Sequence, residues 1–273
     1  MRDVLEALCR QLDDPLLAAA GVIPWGAPVP VFGDAATARL ATLGINPSNK
    51  EFVDARGREL DGQHRRFETL NSLGLGRWSD VQTSHLQLME EACIAYFRRS
   101  PYDTWFRPLD YVIGATGATY YGFLPSACHL DLVPFATTQK WSFLRRQDRD
   151  VLLAAGNRAL GSLLNRSAIE VLILNGSSVI REFERLAVVR LKAVPMAEWS
   201  LPRGTKPGVM GSGVIGVVNA VGTMALKRRL LVLGFNHNVQ SSYGVTRQVT
   251  LSMRRWLAQM MNNELGVAHE SHS

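Results

Sequence analysis

Residues that could manage a water molecule in a hydrolytic reaction follow short apolar runs of the sequence. The segment after the first run reads NPSNKEF, and the second run contains Asp131. An amide such as that of Asn46 can hold a water but cannot take its proton, so hydrolysis also requires a carboxylate. Glu51, Asp54 and Asp131 are the carboxylates nearest to these positions, and Asp34, before the first run, is a weaker candidate.

Four runs rich in apolar and β-branched residues predict the strands that must position these groups: residues 39–45, 128–133, 170–174 and 229–235. Apolar residues with helical spacing predict helices over residues 86–99 and 149–164. Strands that alternate with helices favour a mainly parallel sheet covered on both faces. Ligands of such sheets bind beyond the carboxyl ends of the strands. We therefore expect the polar segments NPSNKEF, PFATTQKW, NGSSVI and NHNVQSSYG to share one site.

The composition is that of a globular protein that binds polyanions. The 273 residues carry a formal charge of +6 and are 47% hydrophobic. A basic balance of this kind favours nucleic acid as a partner. The three cysteines are far apart in the sequence and form no CxxC pair, so we expect no disulfide framework and a reducing, cytoplasmic location. The N-terminal residues lack the pattern of a signal peptide, and no apolar run is long enough to span a membrane.

We expect one domain over residues 1–273, with a helical extension at 1–25 and a disordered tail at 263–273. Two stretches look like elaborations of this domain. Residues 46–85 carry many charges, and residues 199–216 are rich in Gly and Pro, as a mobile loop would be.

The order of the four strand ends carries a family resemblance. The motif GINPS at 44–48 resembles the first signature of the uracil-DNA glycosylase superfamily, and its GINP matches the mismatch-specific, thymine-DNA glycosylase branch. HLDLVPF resembles that family's base-reading strand, and VLILNG resembles its Leu-rich strand. GFNHNVQSS stands where the family has its second signature, but it lacks the Pro-Ser of that loop. The resemblance spans roughly residues 39–256.

This resemblance implies an α/β fold with three layers, α/β/α, around a central, mainly parallel four-stranded sheet. It also implies a monofunctional DNA glycosylase that flips a base out of DNA, hydrolyses its N-glycosidic bond and leaves an abasic site. Asn46 would then orient the water, with Glu51 as a candidate carboxylate. His237 or Asn236 would support the departing base. The alternative for Asn46 and Pro47 is a plain turn.

Asp131 departs from the Asn that several members use to read uracil. An ionised carboxylate only accepts hydrogen bonds, which suits the exocyclic amine of cytosine or adenine. A 5-substituted, even glucosylated, cytosine is therefore a possible substrate, and defence against phage is one role that such an activity would serve. The alternative is that Asp131 caps a turn or pairs with an arginine.

Further residues are candidates for holding the substrate and the DNA. Phe52 and Phe135 could stack on a flipped base, while Ser48 and Asn175 could donate hydrogen bonds to it. The candidates for contact with DNA, through phosphates or as a wedge, are Lys140, Arg145, Arg146, Gln240, Ser241, Ser242, Tyr243 and Arg247.

We expect no cofactor, because the chain has neither the four cysteines of an iron–sulfur cluster nor a His/Cys pattern for a metal. GxxxxGK[ST] and GxGxxG motifs after a strand are also missing. DNA is the expected partner of a monomeric protein. Three alternatives stay open: a repair glycosylase for uracil or mismatches, a non-catalytic sensor of modified DNA, and a glycosidase that acts on free nucleosides.

Overall fold

The computed structural model describes residues 1–99, 101–203 and 206–270. The strands in these ranges are β1 (Val31–Phe32), β2 (Leu40–Gly44), β3 (Ala127–Asp131), β4 (Val171–Asn175), β5 (Lys192–Pro195), β6 (Leu201–Arg203), β7 (Lys206–Val209), β8 (Ser212–Val221) and β9 (Met224–Phe235). Seven of them form one sheet in the order β1-β3-β2-β4-β9-β8-β5, while β6 and β7 pair separately.

The four predicted strands form the centre of this sheet, in the order β3-β2-β4-β9, and each pairs in parallel with its neighbour. All residues of β3 and β4 are buried. Strands buried on both faces read as continuous apolar runs, which is why the sequence predicted them. The mixed α/β class is confirmed, and the carboxyl ends of the four strands lie along one edge.

The central sheet has seven strands and not the four that were predicted. The additional strands β1, β5 and β8 form antiparallel pairs at the two sides of the sheet. The prediction of a mobile loop over residues 199–216 was also wrong: this stretch contains β6, β7 and the start of β8. β8 and β9 form a hairpin with Gly222 and Thr223 at its turn. Gly222 has φ of +60°, the left-handed conformation that such two-residue turns require and glycine adopts without strain.

The helices are α1 (Arg2–Leu12), α2 (Pro15–Ala19), α3 (Leu70–Leu73), α4 (Thr83–Ala95), α5 (Asp103–Ile113), α6 (Arg146–Arg166), α7 (Ser177–Ala187) and α8 (Arg247–Glu270). Of these, α4 and α6 correspond to the predicted helices. α6 packs against β8 and β9, α7 against β4 and β8, and α4 against β1. Within the described ranges, no helix is long and apolar enough to cross a membrane.

The N-terminal segment 1–25 is helical in α1 and α2, as predicted. Its apolar residues share one buried cluster with Trp78 and Phe135, and Asp13 accepts hydrogen bonds from the backbone of Trp78 and Ser79. This extension is therefore packed into the protein core. The segment 263–273, expected to be disordered, is helical through Glu270, and residues 271–273 lie outside the described residues.

Candidate active site

The carboxyl ends of β2 and β3 bring Gly44 and Asp131 together as register partners. A Cβ atom on Gly44 would stand 2.3 Å from Asp131 Oδ1 and 2.9 Å from His129 Nε2. Only glycine therefore leaves the space that these two side chains occupy. Asp131 Oδ1 lies 3.4 Å from His129 Nε2, and among the described residues no arginine pairs with Asp131, which removes the arginine part of the alternative.

A row of buried polar side chains leads to Asp131 from inside the protein. Thr42 is the register partner of His129, and its Oγ1 lies 2.6 Å from His129 Nδ1. The same Oγ1 lies 2.5 Å from the hydroxyl of Tyr120. All four residues are buried, with exposures of 0% for Thr42 and Tyr120, 3% for His129 and 6% for Asp131. The row therefore ends in a carboxylate at the edge of the sheet where ligands are expected.

Glu51 contributes a second buried carboxylate to this end of the sheet. It closes a 3-10 turn, Asn49–Glu51, whose N-cap is Ser48: the Ser48 hydroxyl accepts a hydrogen bond from the backbone N–H of Lys50. Glu51 is only 2% exposed. The hydroxyl of Tyr96 donates to this carboxylate, at 3.0 Å from Oε1 and 2.9 Å from Oε2. Ser48 thus shapes the turn that directs Glu51 inward.

The environment of Glu51 favours its neutral form. Burial raises the pKa of Glu51 from 4.5 to about 7, and the negative charge of Asp131 contributes to the rise. The guanidinium of Arg66, 3.9 Å away, and the Tyr96 hydroxyl hold the pKa down and do not cancel the rise. A carboxyl group that titrates near pH 7 can exchange protons under physiological conditions, which an exposed glutamate rarely does.

Asn46 lies on the loop after β2, between Gly44 and Glu51 in the chain, and is half-buried. Its Nδ2 donates to Thr137 Oγ1 at 3.0 Å and to the carbonyl of Pro47 at 3.2 Å. Thr137 belongs to the loop after β3, so this contact joins the two loops. Because both bonds use the amide nitrogen, the amide oxygen is left to accept a hydrogen bond from a water molecule.

The two predicted stacking rings are packed inside the protein. Phe52 is 1% exposed and lies between Trp25 and Phe67, with ring centroids 6.1 and 6.0 Å away. Gly26 packs so closely on the Phe52 ring that a Cβ there would be 3.0 Å from it. Phe135 is in the N-terminal cluster. In this structure, therefore, both rings are core residues, and stacking on a base would require the surrounding side chains to move.

The ends of β4 and β9 form a second polar group. Asn175 Nδ2 donates to Gln240 Oε1 at 2.6 Å, and its Oδ1 accepts from the backbone of Val239 at 3.0 Å. Asn238 holds the same loop, because its Oδ1 accepts the backbone N–H groups of Gln240 and Ser241 and its own N–H donates to Ser242 Oγ. Asn175 thus orders the loop in which Gln240, Ser241 and Ser242 lie.

Asn236 and His237 point towards the segment between β5 and β8. Asn236 donates to the carbonyl of Met210 and accepts from the backbone of Ser212. His237 is 3% exposed, and its Nε2 lies 2.7 Å from the carbonyl oxygen of Trp199. Burial lowers the pKa of His237, which favours a neutral ring. Both side chains therefore contact residues 199–212, between β5 and the start of β8, rather than the Asp131 group.

The two groups are separated along the edge of the sheet. Neighbouring strands are about 4.8 Å apart, so β3 and β9, three steps apart in the sheet, lie on the order of 14 Å from each other. The structure thus brings Glu51 and Asp131 to one part of this edge, with Asn46 on the loop after β2, and it places Asn175, Asn236, His237 and Gln240 at the ends of β4 and β9.

Sequence reasoning missed several residues of this site, namely Thr42, Tyr96, Tyr120, His129, Arg66 and Asn238. One of them had a detectable signal. His129 precedes Asp131 by two positions, and residues i and i+2 of a strand lie on the same face. Two polar side chains on one face of a buried strand indicate a shared role. Tyr96, Tyr120 and Arg66 come from distant segments, and nothing in their local sequence indicates the contact.

The predicted DNA contacts are mostly at the surface. Lys140, Arg146 and Arg247 are exposed, and in the described part of the chain none of them has an ion-pair partner. Arg145 is paired with Asp148, at 2.8 Å between Nε and Oδ2. Tyr243 is 90% exposed, which suits a wedge better than the hydrogen-bonded Gln240 does.

A polar cleft opens next to Arg66, in the charged segment after Glu51. It is lined by Asp54, Arg58, Glu59, Leu60, Asp61, His64 and Arg66. Asp54 is paired with Arg58 there, at 2.7 Å between Nη2 and Oδ2. Arg66 therefore lies between this cleft and the buried Glu51, which it approaches to 3.9 Å.

Within the described ranges no cluster of three or more His, Cys, Asp or Glu side chains could hold a metal ion. A scan against models of known protein families and a search of curated proteins found no match.

Proposed function

We propose that this protein is a DNA glycosylase of the uracil-DNA glycosylase superfamily, which excises a base by hydrolysis and leaves an abasic site. The observation that carries the proposal is the buried Glu51, with a pKa of about 7, next to Asp131 and the Gly44–Asn46 turn. Cleavage of an N-glycosidic bond requires an aligned water and a group that accepts its proton.

The residues present divide these tasks. The oxygen of Asn46 accepts a hydrogen bond from the water, and the ionised Glu51 takes a proton as the water oxygen bonds to C1′ of the sugar. The bond between C1′ and the base nitrogen breaks, and its electron pair leaves with the base. Tyr96 donates a hydrogen bond to the Glu51 carboxylate, and Arg66 lies near it, so both hold it in place.

Asp131 is the base-reading group in this proposal. It lies at the end of β3, buried and without an arginine partner within the described residues, and its oxygens only accept when ionised. Such a group complements an exocyclic amine and repels a carbonyl oxygen. An amino-bearing base, including a 5-substituted or glucosylated cytosine, is therefore our proposed substrate class.

The arrangement of the sheet and the surface charge support DNA as the substrate. The four strands whose ends carried the resemblance are adjacent and parallel, so the motif loops lie along the same edge of the sheet. Lys140 and Arg146 come after β3 in the chain and are exposed. With a net charge of +6, the protein attracts a polyanion more than a neutral nucleoside.

The test is an excision assay on labelled single- and double-stranded DNA. The DNA carries one of the following bases at a single position: cytosine, 5-hydroxymethylcytosine, its glucosylated form, adenine, uracil, or thymine opposite guanine. Alkali then converts each abasic site into a strand break. We expect breaks at an amino-bearing base, and Glu51→Gln should reduce their rate by 100-fold or more, roughly the contribution of a general base.

Asp54→Asn is the matched control, because it removes a carboxylate three positions away that is paired with Arg58. It should retain activity. If no strand breaks form at any of these bases but the protein binds the DNA tightly and in a salt-sensitive way, the protein is a non-catalytic sensor and not an enzyme. If the protein releases bases from free nucleosides and not from DNA, the substrate is a nucleoside.

A further inference from the structure

We infer that Thr42, Tyr120 and His129 are positioning residues that present the Asp131 carboxylate as a hydrogen-bond acceptor, and that they thereby set the preference for an amino-bearing base. This inference rests on the proposed function. Its evidence is the geometry of the buried row of side chains, in which Thr42 Oγ1 contacts both His129 Nδ1 and the Tyr120 hydroxyl.

The direction of the hydrogen bonds follows from the number of donors. The Tyr120 hydroxyl is fully buried, and Thr42 is its hydrogen-bond partner among the described residues. A buried phenol that donates to nothing is costly, so Tyr120 donates to Thr42. Thr42 has one hydroxyl proton, and with Tyr120 already donating to it, that proton goes to His129 Nδ1. The reverse direction would leave the Tyr120 proton without an acceptor.

This direction fixes the tautomer of His129. Because Nδ1 accepts, the proton of the neutral ring is on Nε2, which lies 3.4 Å from Asp131 Oδ1. In this tautomer the N–H is on the ring nitrogen nearer to the carboxylate, at a distance longer than that of an ordinary hydrogen bond. Asp131 Oδ1 lies against His129 and Gly44, and on this inference the other oxygen is the one that accepts from a ligand. A carboxylate oriented in this way accepts a hydrogen bond from an amine and cannot donate one to a carbonyl.

Packing alone does not explain this row. Apolar side chains of similar volume would fill these positions at no polar desolvation cost, as they do elsewhere in β2 and β3. Phe32 and Phe106 pack against the His129 ring with centroids 5.5 and 5.2 Å away, so the ring cannot swing freely. The polar row is thus a rigid support that leads to one carboxylate at the edge of the sheet.

The first test uses the protein without substrate. Correlations between ring protons and nitrogens in ¹⁵N NMR report the tautomer of each histidine, and His129→Gln identifies the signal among the six histidines. We expect the Nε2–H form for His129 in the wild type and in Thr42→Ser, which keeps the hydroxyl. Thr42→Val should give a mixture of the two His129 tautomers. An Nδ1–H form in the wild type would overturn the inference even if the enzyme is active.

The second test measures the ratio of kcat/KM for the excised amino-bearing base to that for its carbonyl counterpart, in DNA of the same sequence. Thr42→Val should lower this ratio roughly 10- to 100-fold, the range for one misaligned buried hydrogen bond. Thr42→Ser should restore it, and Tyr120→Phe should have a smaller effect in the same direction. The dependence of kcat/KM on pH, which Glu51 sets, should not move.

These outcomes separate the two proposals. If Asp131→Asn changes the base preference while Thr42→Val and Tyr120→Phe, both folded, leave it unchanged, Asp131 reads the base without this support and the inference fails. If no base is excised, the proposed function fails. Binding of free cytosine and free uracil, followed on the same NMR signals, then decides the inference alone, and equal affinity for both bases would overturn it.

Discussion

Gly44 lies directly beneath the carboxylate of Asp131, because the two are register partners at the carboxyl ends of β2 and β3. A methyl group at position 44 would stand 2.3 Å from Asp131 Oδ1 and 2.9 Å from His129 Nε2, so one of these side chains would have to move. The glycine of the GINPS motif is thus explained by the close approach of the Asp131 and His129 side chains.

We predict that Gly44→Ala displaces Asp131 and lowers kcat/KM by at least 100-fold, while stability falls by about 1–3 kcal/mol through overpacking. Excision assays and denaturant unfolding measure the two effects. Gly76→Ala is the control, because a Cβ there would meet no atom within 4 Å. Full activity in folded Gly44→Ala would show that the position of Asp131 does not matter for the reaction.

The second prediction concerns the pH dependence of activity. Since burial raises the pKa of Glu51 to about 7, kcat/KM should rise about tenfold per pH unit below pH 7 and level off above it. Arg66 holds that pKa down, so Arg66→Met should move the midpoint to higher pH. A midpoint near 4.5 in the wild type would mean that Glu51 is not the proton acceptor.

Stability gives an independent measure of the same carboxyl group. The pKa of Glu51 is about 7 in the folded protein and 4.5 as its ordinary value, so the folded state binds the proton more tightly. The free energy of unfolding therefore falls as pH rises from 4.5 to 7, and at pH 8 the full cost, up to about 3 kcal/mol, is present.

Glu51→Gln removes this cost but keeps an acceptor for the Tyr96 hydroxyl. We expect the variant to be more stable than the wild type at pH 8 and to lose that advantage by pH 4.5, as followed by urea unfolding across this range. The pKa values of Asp13, Asp54 and Asp148 are lowered, but these groups titrate in both proteins and cancel in the difference. A difference that does not vary with pH would contradict the buried, raised pKa.

The sequence predicted the centre of the fold well and its sides poorly. Strands buried on both faces have continuous apolar runs, so β2, β3, β4 and β9 were found within a few residues at their carboxyl ends. β8 was missed, because Gly213, Gly216 and the preceding Gly/Pro-rich stretch suggest a loop. Its Gly213 is needed where Trp256 packs, since a Cβ there would be 2.7 Å from that ring. β8 therefore forms because of tertiary contacts, which its local sequence does not indicate.

The candidate site was predictable to a similar extent. Asn46 and Glu51 follow a predicted strand and Asp131 lies in another, and the two carboxylates are close enough for the charge of Asp131 to raise the pKa of Glu51. Asn236 and His237 were expected to touch the substrate, but their hydrogen bonds go to Met210, Ser212 and Trp199 of the segment that the sequence did not predict as strands.

The fourth prediction distinguishes a structural role of His237, through its contact with Trp199, from a role in the chemical step. If its contact with the Trp199 carbonyl is its main function, His237→Ala should cost about 1–3 kcal/mol of stability by leaving a buried acceptor unpaired. It should raise KM for DNA by loosening the loop after β9 and lower kcat less than tenfold. Saturation kinetics and thermal unfolding of the variant measure this. A loss of kcat above 100-fold at unchanged stability would place His237 in the chemistry.

The last prediction concerns the electrostatic contribution to DNA binding. A lysine or arginine that neutralises a phosphate releases a counterion, so its removal should reduce the slope of log K against log salt by about 1. Lys140→Ala and Arg146→Ala should each do so, because both side chains are exposed and have no ion-pair partner among the described residues. Arg145→Ala is the matched control: its guanidinium already pairs with Asp148, and its loss should change the slope less.

These slopes are measured by fluorescence anisotropy of a labelled duplex at salt concentrations between about 50 and 300 mM. Equal slopes for all three variants and the wild type would place the DNA on another surface, and the loop around Tyr243 and Arg247 would then be the next to test.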